Sequence, residues 1–412
     1  MTAETPDNTT TTPELPPHLG LANLMTRAFL GEDLGPVGAE LLNRAQNNPA
    51  DANALMDLSI VLQMRGDPET GLAIQSQALS LQQFYQIPAS QPGGPRLLAI
   101  KGPGEVMWNT PLEFLTEDSD IALDMLYLAP ELPVPPGVPD HDILMIAVAQ
   151  CDRNRALLAS LADLAEEWPR PVINQPARIS QLTRDNVCHL LSGIPGVIMP
   201  LSVRVERSTL EAVTRGETRI QDLLSDGDFP IIVRPVDSHA GRGLDRADDP
   251  AALATYLQQS PTDQFYVSRF VDYRQQDGRY RKARVVVIDG QPFVAHMAIS
   301  DHWMIHYLNA GMAEDAEKRA EEARFMENFD TDFVPRHQAA LDEITRRLGL
   351  DYYALDCAET ADGQLLIFEA DSAMVVHAMD PADDFPYKKV QMRKVFDAFR
   401  SMIEKRLQTA QA

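Results

Sequence analysis

Cysteine is scarce in this chain: Cys151, Cys188 and Cys357 are the only three in 412 residues, far apart and without a CxxC spacing. That excludes a disulfide framework and a thiolate zinc site, and a reducing, cytoplasmic setting is the expectation. Cations are also few. Lys and Arg number 36 against 60 Asp and Glu, the formal charge is −24, and no Lys/Arg-rich block occurs. Nucleic acid and anionic membrane surfaces call for clustered cations, so neither is an expected partner. No run approaches the roughly 18 apolar residues of a spanning helix. The amino terminus has no basic-then-apolar leader. Two familiar signatures are missing as well: no Gly-Lys-Ser/Thr of a Walker A loop and no HExxH.

The length suffices for two or three domains with their own cores. Residues 1–18, rich in Thr and Pro, read as a disordered tail. Residues 19–88 read as helical, with two amphipathic helices around the turn Arg65-Gly-Asp-Pro-Glu69 that resemble one tetratricopeptide repeat. A single repeat cannot bury its own faces, so it must pack on the rest of the protein or hold a peptide partner. Ser90-Gln-Pro-Gly-Gly-Pro95 is a linker. Residues 95–178 then show short continuous apolar runs at 96–101, 124–129, 142–148 and 171–174, the pattern of buried parallel strands alternating with helices. Residues 179–410 read as a mixed sheet with helices, closing on an amphipathic helix near 387–407. The fold class expected is α/β (α+β).

Three motifs carry chemistry. The first is a predicted hairpin: Leu350 to Cys357, a turn at Ala361-Asp-Gly363, then Leu365-Leu-Ile-Phe368 running into Glu369-Ala-Asp371. Pairing across the turn brings Asp356 beside Glu369, and Glu369 and Asp371 share a strand face. Three carboxylates so placed suit a hard cation such as Mg²⁺, the plainer reading being a hairpin with solvated acids. The second is the strand Ile231-Ile-Val-Arg-Pro235 leading into Asp237-Ser-His-Ala-Gly-Arg-Gly243. A cation at a strand end before a Gly- and Ser-containing loop can grip polyphosphate, or be a surface turn. The third is the apolar strand Phe265 to Asp272, which can line an adenine or simply fill a core.

In order and spacing these motifs resemble the ATP-grasp superfamily, and within it the carboxylate–amine ligases of the glutamate-ligase branch. The resemblance spans roughly residues 96–400, with Asn174 to Ile179, Thr183 to Asn186, Gly193, Ile194 and Pro200 looking like the entry into its first lobe. It implies a small α/β domain followed by a two-lobed ATP-grasp domain. It also implies ATP and Mg²⁺ or Mn²⁺ as cofactors, and an amide bond formed through an acyl-phosphate. Arg234 stands where the family has a phosphate-binding Lys. Ser238, His239, Ala240 and Gly241 match its mobile loop, and Ser268, Arg269, Phe270 and Val271 its adenine hinge. Arg284 matches a basic residue facing the acyl-phosphate, and Asp356, Glu369 and Asp371 its metal ligands, although the last is usually Asn. The segment 298–312 falls where the family meets its substrates, which makes Asn309 a catalytic candidate and His302, Trp303 and His306 candidates for substrate contact; Arg281 and Lys282 are candidates for recognising an anionic substrate, and His377 is a further histidine nearby. Amino acids or small peptides are the implied substrates, and homo-oligomers are common in the family. A different reading is a non-catalytic nucleotide-binding scaffold that joins the tetratricopeptide-like segment to a degenerate ATP-grasp domain.

Overall fold

The computed structural model describes residues 15–133, 135, 137–238 and 241–411. Most of the expected tail therefore lies outside the described residues, although His18 at its end is buried, with Nδ1 2.7 Å from Asp57 Oδ1. Asp57 also accepts hydrogen bonds from the Leu19 and Gly20 amides at 2.9 and 3.1 Å. A carboxylate is thus set at the start of α1 (Gly20–Phe29), where unpaired amides and the helix dipole favour negative charge.

The chain begins with four helices, α1, α2 (Gly35–Asn47), α3 (Ala52–Met64) and α4 (Pro68–Leu81). Asp51 caps α3 by accepting from Ala54 N, and Asp67 caps α4 by accepting from Thr70 N, with Pro68 preset for the first turn. The faces of α3 and α4 do not stay open. Leu55, Met56 and Leu79 share a core with Leu97 and Ala99 of the following sheet and with Phe399 of the last helix, so the helices buttress the body of the protein.

Next comes a five-stranded sheet built from β1 (Phe84–Ile87), β2 (Arg96–Lys101), β3 (Ala122–Tyr127), β4 (Ile143–Ile146) and β5 (Val172–Ile173), in the order β1-β3-β2-β4-β5. The short α5 (Leu112–Leu115) and α6 (Arg155–Glu166) lie between these strands in the chain. β2 to β5 are parallel and nearly all apolar because both faces are covered. β1 joins antiparallel at the edge, Phe84 opposite Leu126, so the stretch 19–88 expected to be helical ends in a strand, whose Phe, Tyr and Ile favour extended pairing.

After α7 (Pro176–Ile179), α8 (Arg184–Leu190) and β6 (Val197–Ile198) the chain forms a small four-stranded antiparallel sheet. It contains β7 (Ser202–Glu206), β8 (Ile231–Pro235), β9 (Asp245–Ala247) and β10 (Gln264–Arg269), ordered β7-β10-β8-β9, with α9 (Arg207–Thr214) and α10 (Pro250–Gln259). The last sheet is ordered β12-β11-β13-β14-β6, from β11 (Tyr280–Ile288), β12 (Gln291–Ser300), β13 (Tyr352–Glu359) and β14 (Leu365–Asp371). Helix α11 (Ala316–Asn328), a π-turn (Phe329–Phe333) and α12 (Val334–Leu348) run on continuously, and α12 stops at Gly349 in the left-handed conformation, φ 63°. Helix α13 (Pro386–Gln411) closes the chain. The architecture is mixed α/β: helices, then three sheets, as the sequence leads one to expect.

Candidate functional site

The hairpin forms in the expected register. Asp356 of β13 stands directly opposite Glu369 of β14, and a bulge after Asp356 shifts the remaining pairs. On the other side Asp356 faces Arg284 of β11, and Arg284 in turn faces His296 of β12. One row of side chains therefore crosses four strands of the sheet.

Asp356 is fully engaged by cations. Lys282 Nζ donates to Oδ2 at 2.9 Å, and Arg284 donates to Oδ1 from Nε at 2.8 Å and to Oδ2 from Nη2 at 3.1 Å. Burial alone raises a carboxyl pKa, yet Arg284 and Lys282 outweigh it and hold Asp356 well below the usual carboxylate range. Glu369 pairs with Arg184 of α8; against its burial, Arg184 and Arg234 keep it lowered. Asp371 differs. Burial and the neighbouring Glu369 raise its carboxyl to about 6, against backbone hydrogen bonds from Ala373 and Ser372; the Ala373 amide donates to Oδ1 at 3.0 Å. Glu369 and Asp371 share a strand face, and two oxygen donors so placed fit a hard cation. Both oxygens of Asp356 are bonded to Lys282 and Arg284, and the described residues contain no group of three or more metal-binding side chains.

Across the cleft, Arg234 of β8 is turned onto its own loop. Nε and Nη2 each donate to Ser238 Oγ at 3.2 Å, and Nη2 also reaches the Ser238 carbonyl. Burial, with Arg184 nearby, pushes its guanidinium down to about 10. His239 and Ala240 lie outside the described residues. Ser238, Arg184, Tyr266, Met199, Phe368 and Asp371 line a space of about 50 Å³ with Glu369. The small sheet is latched onto the first sheet's loops: Arg204 pairs with Asp152, the Asp152 amide donates to Asp237 at 3.1 Å, and Arg242 reaches Glu105 at 3.1 Å. In β10, Ser268 pairs with Ile232, Arg269 bonds Asp226 at 3.0 Å, and Arg246 covers the Phe270 ring at 4.4 Å; Val271 is half-buried at the strand's end.

The acceptor-side candidates separate. His306 is held below its usual range by burial and by Lys282 and Arg284. Trp303 packs edge-on against Phe270 at 5.8 Å, and His302 is exposed. Asn309 accepts from the His306 amide at 3.0 Å and so caps its own turn. Arg281 points to the opposite sheet face, paired with Asp277 and Glu321. Neighbours on a strand alternate, so the residue on the cleft side is Lys282. His377 packs between Phe29 and Phe114, far from exposed.

Sequence reasoning did not single out Arg184, His296 or a buried ionic knot beyond His296. The His296 ring lies 4.6 Å from that of Tyr307. Tyr307 meets Lys388 of α13, which also pairs with Glu322 at 3.3 Å and Asp380 at 3.1 Å. Lone residues scattered over 90 positions leave no local signal; only their convergence identifies them.

No family model matches the chain, and no curated protein matches it. Solved structures are similar in outline. The RimK domain protein ATP-grasp from Sphaerobacter thermophilus is 15% identical, covering 75% of this chain and 99% of its own, with a TM-score of 0.42. For the VanG D-Ala:D-Ser ligase from Enterococcus faecalis the values are 14%, 76%, 100% and 0.45. For a D-alanine–D-alanine ligase from Bacillus anthracis complexed with ATP they are 12%, 77%, 99% and 0.45.

Proposed function

We propose that the protein is an ATP-dependent carboxylate–amine ligase acting on amino acids or small peptides. The observation that supports this best is the cleft itself, where Arg184, Arg234 and the Lys282–Arg284 pair, from three separate elements, surround the adjacent carboxyls of Glu369 and Asp371. Anionic phosphates need the cations, and a divalent metal between those phosphates needs the acids.

In this reading Arg234 and the Ser238–Gly241 loop release each other and grip the phosphates, while Ser268 to Val271 border the base. Glu369 and Asp371 would hold Mg²⁺ or Mn²⁺, which neutralises charge between phosphates. Lys282 and Arg284 orient the substrate carboxylate as its oxygen attacks the γ-phosphorus and ADP leaves. They then stabilise the oxyanion as the amine nitrogen attacks the acyl carbon, phosphate departs and the nitrogen loses its proton. Asp356 positions the two cations. A nucleotide needs far more than about 50 Å³, so the small sheet must swing outward, breaking the Arg204–Asp152 and Arg242–Glu105 pairs. Its return would exclude water from the acyl-phosphate.

A second reading, a nucleotide-binding scaffold without turnover, draws on the same small cleft and on the engaged oxygens of Asp356. A Mg·ATP-dependent ADP-release screen over amino acids and short peptides separates the two. The ligase reading expects release that needs both a carboxylate and an amine and is lost in Glu369→Gln. ATP binding with no stimulated release leaves the scaffold.

A further inference from the structure

The faces of β11 and β13 turned away from the cleft border a second, larger space. Alternation sends Lys282, Arg284 and Asp356 one way and Arg281, Ala283 and Cys357 the other. There the sheet, α11, the π-turn and the segment before β11 enclose about 790 Å³, inside the roughly 300–1,000 Å³ span of small-ligand pockets. Its base is apolar but closed, with Ala283, Met297, Cys357 and Phe333 all buried, and the half-buried Phe325 is the aromatic surface open to the space. The π-turn forms part of the wall, and such interruptions recur at functional sites. The ring of Phe329 stacks on Phe333 at 5.0 Å, and Phe325 meets Phe333 edge-on at 5.6 Å, so the wall is well packed.

The rim is charged and almost balanced. Arg281 bridges Asp277 and Glu321, and Arg336 bridges Asp332 and Glu359. Arg324 also lines the space, is exposed, and has no side-chain hydrogen bond or ion pair among the described residues. The rim thus has one free guanidinium and one carboxylate more than it has guanidiniums. We propose that this pocket binds a short zwitterionic peptide with an apolar side chain. The side chain rests against Phe325, the carboxylate meets Arg324, and the ammonium meets the acidic excess of the rim.

The proposal does not depend on ATP turnover. Isothermal titration of the full chain with phenylalanyl-leucine is expected to show saturable binding at one site, unchanged by excess Mg·ATP. Arg324→Glu, at an exposed position, is expected to weaken it by about tenfold or more. Ala361→Trp, which fills the pocket from the hairpin, is expected to abolish it. The idea is overturned if no binding tighter than about 1 mM appears, if both variants bind as the parent does, or if Mg·ATP displaces the peptide.

Discussion

Arg284 and Asp356 face each other on adjacent strands, with Arg284 Nε donating to Asp356 Oδ1 at 2.8 Å. Lys282 takes the other oxygen at 2.9 Å. The carboxylate is buried and the two cations are mostly so, which makes each dependent on the rest for its charge to be tolerated. Asp356→Ala is therefore expected to cost about 3–5 kcal/mol of stability, since it strands two cations. Asp356→Ala with Lys282→Met should recover part of that loss. Denaturant unfolding measures both, and a single variant as stable as the parent would contradict the pairing.

The Lys388 knot predicts similar coupling at a distance from the hairpin. Lys388 and Glu322 are almost fully buried and 3.3 Å apart, and Tyr387 donates to Glu322 at 2.6 Å. Lys388→Met alone should destabilise by about 3–5 kcal/mol, because Glu322 and Asp380 lose their counter-charge. Adding Glu322→Gln should restore part of it. Strictly additive losses in that cycle would show that the groups do not interact.

His377 sets a pH dependence. Burial pushes its imidazole down to about 4 from the ordinary 6.5; Lys388 and Arg284 act in the same direction and Asp380 opposes them. Between those values the unfolded chain binds a proton that the folded chain does not, so stability falls as pH drops from 6.5 toward 4. His377→Gln, which keeps an acceptor for the Met379 amide, should make that part of the profile less steep, with His296, His306 and His337, also lowered, contributing the rest. Melting temperatures at a series of pH values test this; a variant with the parent's slope would refute it.

Arg234 offers a test of nucleotide binding. Its guanidinium now bonds Ser238, and the proposed function has it exchange that partner for phosphate. Arg234→Ala is expected to weaken ATP binding by about tenfold or more, the value of a charge-assisted bond. Arg234→Lys should lose less, since it keeps the charge but not the fork. Titration calorimetry with ATP reads both, and equal affinity in all three proteins would remove Arg234 from the site.

Local patterns carried much of the architecture. Apolar runs such as Leu97–Ile100 and Ile143–Ile146 announced buried parallel strands, and the Ala361-Asp-Gly363 turn set the hairpin register that puts Asp356 opposite Glu369. These features depend on neighbours within a few residues, so the chain itself encodes them. The edge strand Phe84–Ile87 was missed because four residues directly after a helix are too few to show a strand period. Strand phase was decided by the sheet as well. Arg281 and Lys282 were both candidates, and only their place in the sheet decided that Lys282, on the same face as Arg284, is the one turned to the cleft.

Charge placement was decided by tertiary structure alone. The sequence determined that three acids and several arginines would sit on or near this sheet. Only packing determined that Asp356 would be spent on Lys282 and Arg284, that Glu369 would meet Arg184, and that Asp371 would be left with a carboxyl raised by burial and its neighbour. The reason is physical: a residue's chemistry is fixed by its type, but its ionisation and its partners are fixed by what the fold brings within a few ångströms and how much water it leaves there.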